Sequence, residues 1–236
     1  MPLSVPSWVI PGTYAENLAF LSSKDGIEGV ELLFFMYDES VLREFRSELS
    51  IIETFRDRFV FSAHLPDGLQ DSHEELVDLL SPLAQSFVVH PGPAESAETL
   101  AALLFRWKHR FGDRFLLENT QNGRFEALER LLPDTLVCMD SGHLLLQGES
   151  PADFARNRGA RIGEIHLHGV DEAAALTDGR LRDHRALAGD LAWLDELAPF
   201  MNSFRGLLEL EVFSWEEARE SLRVLRGRGL LPQRNC

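Results

Sequence analysis

Residues 58–90 read RFVFSAHLPDGLQDSHEELVDLLSPLAQSFVVH. An apolar, β-rich run from Arg58 to His64 ends on a histidine, a segment of helical spacing follows, and a second apolar run from Ser86 to His90 ends on another histidine. Strand, helix and strand in that order, with apolar runs too continuous for a half-solvated sheet, is the pattern of parallel strands joined by a crossover helix. The helix is expected over Ser72 to Ala84, with Ser72 as N-cap, Glu75 completing a capping box, and Pro82 forcing a kink or an early stop.

The same unit recurs in both directions along the chain. Strands are expected at Ser7 to Ile10, Gly29 to Phe35, Arg58 to His64, Ser86 to His90, Arg114 to Glu118, Thr135 to Asp140, Arg161 to His168 and Gly206 to Phe213. Between them lie helical segments such as Ala94 to Phe111, where Leu100, Leu103, Leu104, Trp107 and Phe111 share one face. Eight such units in 236 residues, against about 250 for a typical closed barrel, predict an α/β chain folded as a (β/α)8 TIM barrel, with residues 1–236 forming a single domain. An open doubly wound sheet is the structural alternative, and the strand count favours closure. No repeat or Pro/Gly/Ser-rich linker divides the chain, and the longest polar stretch, Gly169 to Gly189, is long enough to be a functional loop.

Composition narrows the function classes. A net charge of -15 disfavours nucleic acid as a partner, because duplex binding relies on Lys and Arg that displace condensed counterions. The opening Met1 to Trp8 lacks the basic flank and apolar run of a signal peptide, and no stretch reaches the ~18 apolar residues of a membrane span. The expected location is cytoplasmic, with no membrane partner. The two cysteines, Cys138 and Cys236, offer neither a disulfide framework nor a thiolate zinc motif, so any metal must sit on nitrogen and oxygen.

In a barrel of this kind chemistry sits at the C-terminal mouth, on the last residue of each strand and in the loop after it. His64, His90, Glu118 and Asp140 each end an expected strand, and His143 stands three residues past Asp140. His166 and His168 close the seventh strand, Asp183-His184 lies in the loop after it, and Glu211 is near the end of the eighth. Imidazoles mixed with carboxylates suit Zn2+, Mn2+ or Fe2+, and nine candidate ligands (His64, His90, Glu118, Asp140, His143, His166, Asp183, His184 and Glu211) exceed what one ion can use, so two or three divalent ions are expected. His73 and His109 fall inside expected helices and are read as structural. Glu31 could reach the mouth as a substrate contact or make a structural hydrogen bond, and Glu209, one layer below Glu211, is expected to be paired. Trp8, Phe34, Phe35 and Phe213 are read as barrel packing.

At these residues the chain resembles the xylose isomerase-like TIM-barrel superfamily, and within it the endonuclease IV branch. The resemblance implies that His64, His90, Glu118, Asp140, His143, His166, Asp183 and Glu211 bind metal. The chain departs from that branch in its adjacent Asp183-His184, where the branch has Asp-x-His, and in His168, where the branch has a small polar residue. Asp183, His184 and His168 are therefore rival completions of a third metal site, and His168 is also a candidate substrate contact. The opening Trp8-Val-Ile-Pro-Gly-Thr-Tyr-Ala-Glu-Asn17 and the Val30-Glu-Leu-Leu-Phe-Phe35 strand look like the cobamide-remodelling phosphodiesterases, which implies a small-molecule phosphodiester substrate of corrinoid type.

The expected function is accordingly a metal-dependent phosphodiesterase, with Glu118 and Glu211 as catalytic carboxylates and an ion-bound water whose pKa falls to about 7. Three alternatives stand beside it. Glu118, Asp140, His166 and Glu211 alone would serve a single-metal sugar or keto-acid isomerase or epimerase. An abasic-site DNA endonuclease fits the ligands and not the charge, and a metal-free binding barrel fits the fold and not the ligands.

Overall fold

The computed structural model describes residues 1–92, 96–120, 123–171 and 182–231. Eight parallel strands close into a barrel: β1 (Leu3–Pro6), β2 (Gly29–Leu33), β3 (Val60–His64), β4 (Ser86–Val89), β5 (Phe115–Glu118), β6 (Leu136–Asp140), β7 (Ile162–His166) and β10 (Leu207–Glu209). Two further strands, β8 (Gly169–Asp171) and β9 (Arg182–Arg185), pair antiparallel outside the barrel in the expected long loop. Around the ring the order is β1-β10-β7-β6-β5-β4-β3-β2. Each barrel strand neighbours its predecessor in sequence and β10 closes on β1, with Leu3 opposite Leu208 and Ser4 opposite Glu209. The predicted TIM barrel is the observed one.

Residues that face the helices make the wall. The helix Ala97–Phe111 opens on Ser96, whose Oγ accepts from the Thr99 amide, and buries Leu100, Leu103, Leu104 and Trp107. Trp107 packs at 6.0 Å from Phe115, which stacks at 5.2 Å on Phe87. That contact fixes helix to strand by apolar burial, independently of anything at the mouth.

Two local expectations need correction. The first strand is Leu3–Pro6 and not Ser7 to Ile10, which form turns and bends where Asn17 Oδ1 accepts the amides of Val9 and Ile10. Ser72 caps nothing: the segment begins as a 3-10 turn, Asp71–His73, and becomes an α-helix only over Glu74–Leu80. Its end at Leu80, two residues before Pro82, does follow the proline rule. Ala94, Cys236 and residues 172–181 of the long loop lie outside the described residues. Among the described residues no helix is long and apolar enough to cross a membrane.

A buried carboxylate and histidine centre at the barrel mouth

The strand ends deliver their polar side chains to one point. Glu118 (end of β5), Asp140 (end of β6), His166 (end of β7) and Glu211 (two residues past β10) are all buried, and one donor atom from each lies within 4.8 Å of the others. Local structure explains the convergence. Asp140 caps the short helix Ser141–Leu146, its Oδ1 accepting the His143 amide at 2.6 Å, while Asn119 brackets the same residue by accepting its amide at 2.8 Å and donating to its carbonyl at 3.0 Å. That bracket joins the ends of β5 and β6.

Histidines surround the four. His64 Nε2 stands 3.1 Å from Glu118 Oε2, and His143 Nδ1 stands 3.4 Å from Glu118 Oε1. Glu211 Oε2 faces His166 Nδ1 at 3.2 Å and His184 Nδ1 at 3.4 Å. His168 Nε2 reaches both oxygens of Asp140 at 3.1 Å, and its Nδ1 accepts the His184 amide at 2.9 Å, so Nε2 carries the proton that Asp140 accepts. The helix that Asp140 caps leaves room for that ring only because residue 142 is glycine: a Cβ there would come within 1.9 Å of the His168 imidazole. His184 adopts φ 51°, uncommon for a residue with a side chain, and is held by its bonds to His168 and Glu211.

Charge follows this geometry. Burial alone would raise Glu118, yet the His64 hydrogen bond and the nearby His166, His64 and His90 hold its carboxyl below the ordinary value. Burial likewise opposes ionisation of Glu211, and His166 and His184 hold it well below the usual range. The imidazoles respond reciprocally. Burial would lower His64, but Glu118 brings it to about 9, and Glu211 brings His184 to about 10 against the same penalty.

Those protons occupy the place a cation would take, which makes the donor chemistry a test of metal fit. Several buried atoms also make no hydrogen bond, among them Glu211 Oε2 and both nitrogens of His166, as expected of donors arranged for a ligand. The residues fit a divalent ion. Two further triads, His90–Glu118–His143 and His168–His184–Glu211, share glutamates with the four-donor set, a third, His143–Asp183–His184, lies beside them, and a fourth, Glu31–Glu164–His166, lies beneath and shares His166.

The nine expected ligands thus gather at one mouth, in different settings. His64 belongs to no donor cluster and is a hydrogen-bond partner of Glu118, its Nδ1 bonded to the Leu65 carbonyl at 3.1 Å. His90 is tied by Nδ1 to Asp67 at 2.9 Å. Glu31 stands beneath His166, 3.3 Å from its Nε2, with no exposure to the mouth. His73, in the 3-10 turn, packs edge-on against Tyr37 at 5.2 Å. A cavity of about 320 Å³ opens above the site, bordered by Phe35 and Phe213. Phe34 is core, but Trp8 and Phe213 are 43% and 39% exposed and flank Phe35 in a row, which corrects their reading as packing residues. Asp67 went unread because it sits three residues past the end of β3, in a loop with no periodicity to mark it.

No family model matches the chain, and no curated protein matches it in sequence. Solved structures do. A D-tagatose 3-epimerase-like protein superposes with a TM-score of 0.69 at 17% identity, covering 96% of each chain. The chain shares the fold of that protein. A probable 3-DHS dehydratase from Bacillus anthracis (TM-score 0.65, 16% identity, 97% of this chain and all of that one) and a 3-keto-D-glucoside 4-epimerase from E. coli (0.63, 15%, 96% and 99%) share it. These likenesses agree with the xylose isomerase-like part of the resemblance. They carry nothing of its endonuclease IV or cobamide part, and the expected phosphodiester hydrolysis is corrected by them: these three structures sharing the fold are named as epimerases and a dehydratase, and none as a phosphodiesterase.

Proposed function

We propose that this chain is a divalent-metal-dependent isomerase or epimerase acting on a small sugar-like molecule with a hydroxyl beside a carbonyl. The observation that carries the reading is the convergence of Glu118, Asp140, His166 and Glu211 into one buried donor set, the four residues read from the sequence as sufficient for single-metal isomerisation. The epimerase-type fold supports it as analogy.

These four residues would hold the ion, which when bound supplies Lewis-acid polarisation of a substrate oxygen. The rest belongs to the side chains. Glu118 and Glu211 rise from β5 and from the end of β10, three strands apart around the ring, and can address a substrate carbon from two directions. One carboxylate takes the proton from the carbon beside the carbonyl, the C–H electrons pass into an enediolate, and the other glutamate, first protonated by the imidazolium beside it (His64 for Glu118, His184 for Glu211), delivers that proton to the opposite face. Their histidine partners hold both glutamates ionised at rest, so that either can accept, and supply the proton to the one that donates. Asp140, fixed by Asn119 and His168, takes no proton. The aromatic edge of Phe35 and Phe213 limits water entry above the reacting carbon.

Metal number and identity belong to the same proposal: one ion in the four-donor set and up to two more in the flanking triads, drawn from Zn2+, Mn2+ and Fe2+. The partner is a small molecule, with neither nucleic acid nor membrane involved, and the domain is residues 1–236 taken together.

The test is deuterium uptake. Metal-loaded protein in D2O should exchange the hydrogen beside the carbonyl of one or more members of a panel of ketoses and 3-ketoglycosides, read by mass spectrometry, and lose the exchange on chelation. Absence of exchange across the panel with ion bound would sink the reading.

A further inference from the structure

The barrel interior below the mouth holds a second group of polar residues. Glu164 stands two residues before His166 on β7, on the same side and about 7 Å deeper, and Glu209 ends β10 two residues before Glu211. With Glu31 of β2 they are fully buried, and neither oxygen of Glu31 makes a hydrogen bond of ordinary geometry. A buried carboxylate without a partner is costly, so the position of Glu31 calls for a reason.

His166 supplies one. Its ring stands between the two layers, with Nδ1 turned to the donor set at 3.2 Å from Glu211 Oε2 and Nε2 turned down to Glu31 Oε1 at 3.3 Å. Glu164 is a weaker claimant on that nitrogen. Its Oε1 lies 3.9 Å from Nε2, while Oε2 is engaged by the Ser86 hydroxyl at 3.0 Å. A neutral imidazole carries one proton, and whichever nitrogen holds it cannot ligate. A carboxylate fixed under Nε2 draws the proton there and leaves the Nδ1 lone pair facing Glu118, Asp140 and Glu211.

We propose that Glu31 is the positioning residue of this centre: its carboxylate, 3.3 Å from Nε2, holds the ring proton on that nitrogen by charge and so favours the tautomer in which Nδ1 serves as the metal donor. The inference rests on the four-donor metal reading. It also accounts for a glutamate at Glu31 that no mouth contact requires. Partners of this kind behind a ligating histidine typically govern metal affinity by 10–100-fold.

The experiment uses the full chain stripped of metal. Mn2+ affinity is measured by chelator competition for wild type, Glu31→Leu, Glu31→Gln and Glu164→Gln, and after reloading with diamagnetic Zn2+ the His166 tautomer is read by long-range proton–nitrogen correlation at neutral pH. Glu31→Leu, which keeps the volume and removes the charge, should lose about 10–100-fold in affinity and show His166 redistributed between tautomers. Glu31→Gln, which keeps the shape and also removes the charge, should lose most of that affinity too. Glu164→Gln, an equally buried carboxyl against the same ring, should stay within about threefold of wild type, which a merely structural role for the buried carboxylates would not allow. Wild-type affinity in Glu31→Leu, or an equal loss in Glu164→Gln, overturns the proposal. If Glu31→Leu fails to fold, the Gln pair and the wild-type tautomer decide: a proton on Nδ1 in wild type is fatal. A wild type that takes up neither Mn2+ nor Zn2+ overturns the metal reading, and the role of Glu31 with it.

Discussion

The two polar layers inside this barrel have the same residue types and opposite electrostatics. In the mouth layer, Glu118 and Glu211 are held below the ordinary carboxylate value, with histidines within about 3.4 Å of each. In the layer beneath, burial and the charge of Glu31 push Glu164 up to about 7 and Glu209 well above its usual range. Burial is complete in both layers, so desolvation cannot be what separates them. The supply of imidazoles does: among the described residues five face the mouth carboxylates, and only the underside of His166 faces the lower ones. A carboxylate is kept reactive by its neighbours and not by its depth.

That contrast can be broken first at the mouth. Glu118→Gln and Glu211→Gln should each cut deuterium exchange by about 10²–10⁴-fold, the usual worth of a positioned acid or base, with the fold intact by circular dichroism. Retained exchange in either variant would remove it from the proton path. Next comes a control outside both layers. Trp107→Ala, which empties a fully buried position against Phe115, should cost about 3–5 kcal/mol in denaturant unfolding and leave Mn2+ affinity unchanged, because the wall and not the polar interior holds the barrel together.

The lower layer is tested by pH in metal-free protein. A carboxyl whose folded pKa is raised binds its proton more tightly folded than unfolded, so its contribution is fully present below the ordinary value near 4.5 and is lost as pH rises through about 7. For Glu164 the loss is on the order of 3 kcal/mol, visible as a Tm that falls across that window and falls less in Glu164→Gln. A wild-type Tm that climbs from pH 4.5 to 7 by the same amount would erase the distinction between layers. The smallest effect is expected at Asp67→Ala. Its side chain is 54% exposed, and the bond to His90 has the worth of a solvent-screened pair, about 0.2–1 kcal/mol, so Mn2+ affinity should change by less than about fivefold. A larger change would bring Asp67 into the site.

Much of this was legible in the sequence, for physical reasons. Strand ends announced the mouth because an apolar run that stops on His or a carboxylate, as at His64, Glu118 and Asp140, sets a ligating group where a buried strand meets its loop. Alternation exposed the barrel because buried parallel strands read as continuous apolar runs. Ser7 to Ile10 deceived because the true first strand, Leu3–Pro6, is bounded by prolines that read as turn signals. Ser72 deceived because a 3-10 turn uses the same residues as a helix cap. The pairing of Glu31 with His166 was illegible, since it joins strands 135 residues apart and depends on ring orientation. The chemistry itself was read too far: ligands in surplus suggested hydrolysis, while the geometry makes His64 a hydrogen-bond partner of Glu118 and leaves the four-donor set at the centre.

Glycine at 142 leads somewhere different. The volume that a side chain at 142 would fill is already taken by the His168 ring, so the two positions compete for one space and cannot vary independently. A combinatorial library randomised at both should return glycine wherever imidazole survives at 168, and larger residues at 142 only alongside small ones at 168. The order of change is therefore fixed: residue 168 must lose its ring before residue 142 can gain a side chain.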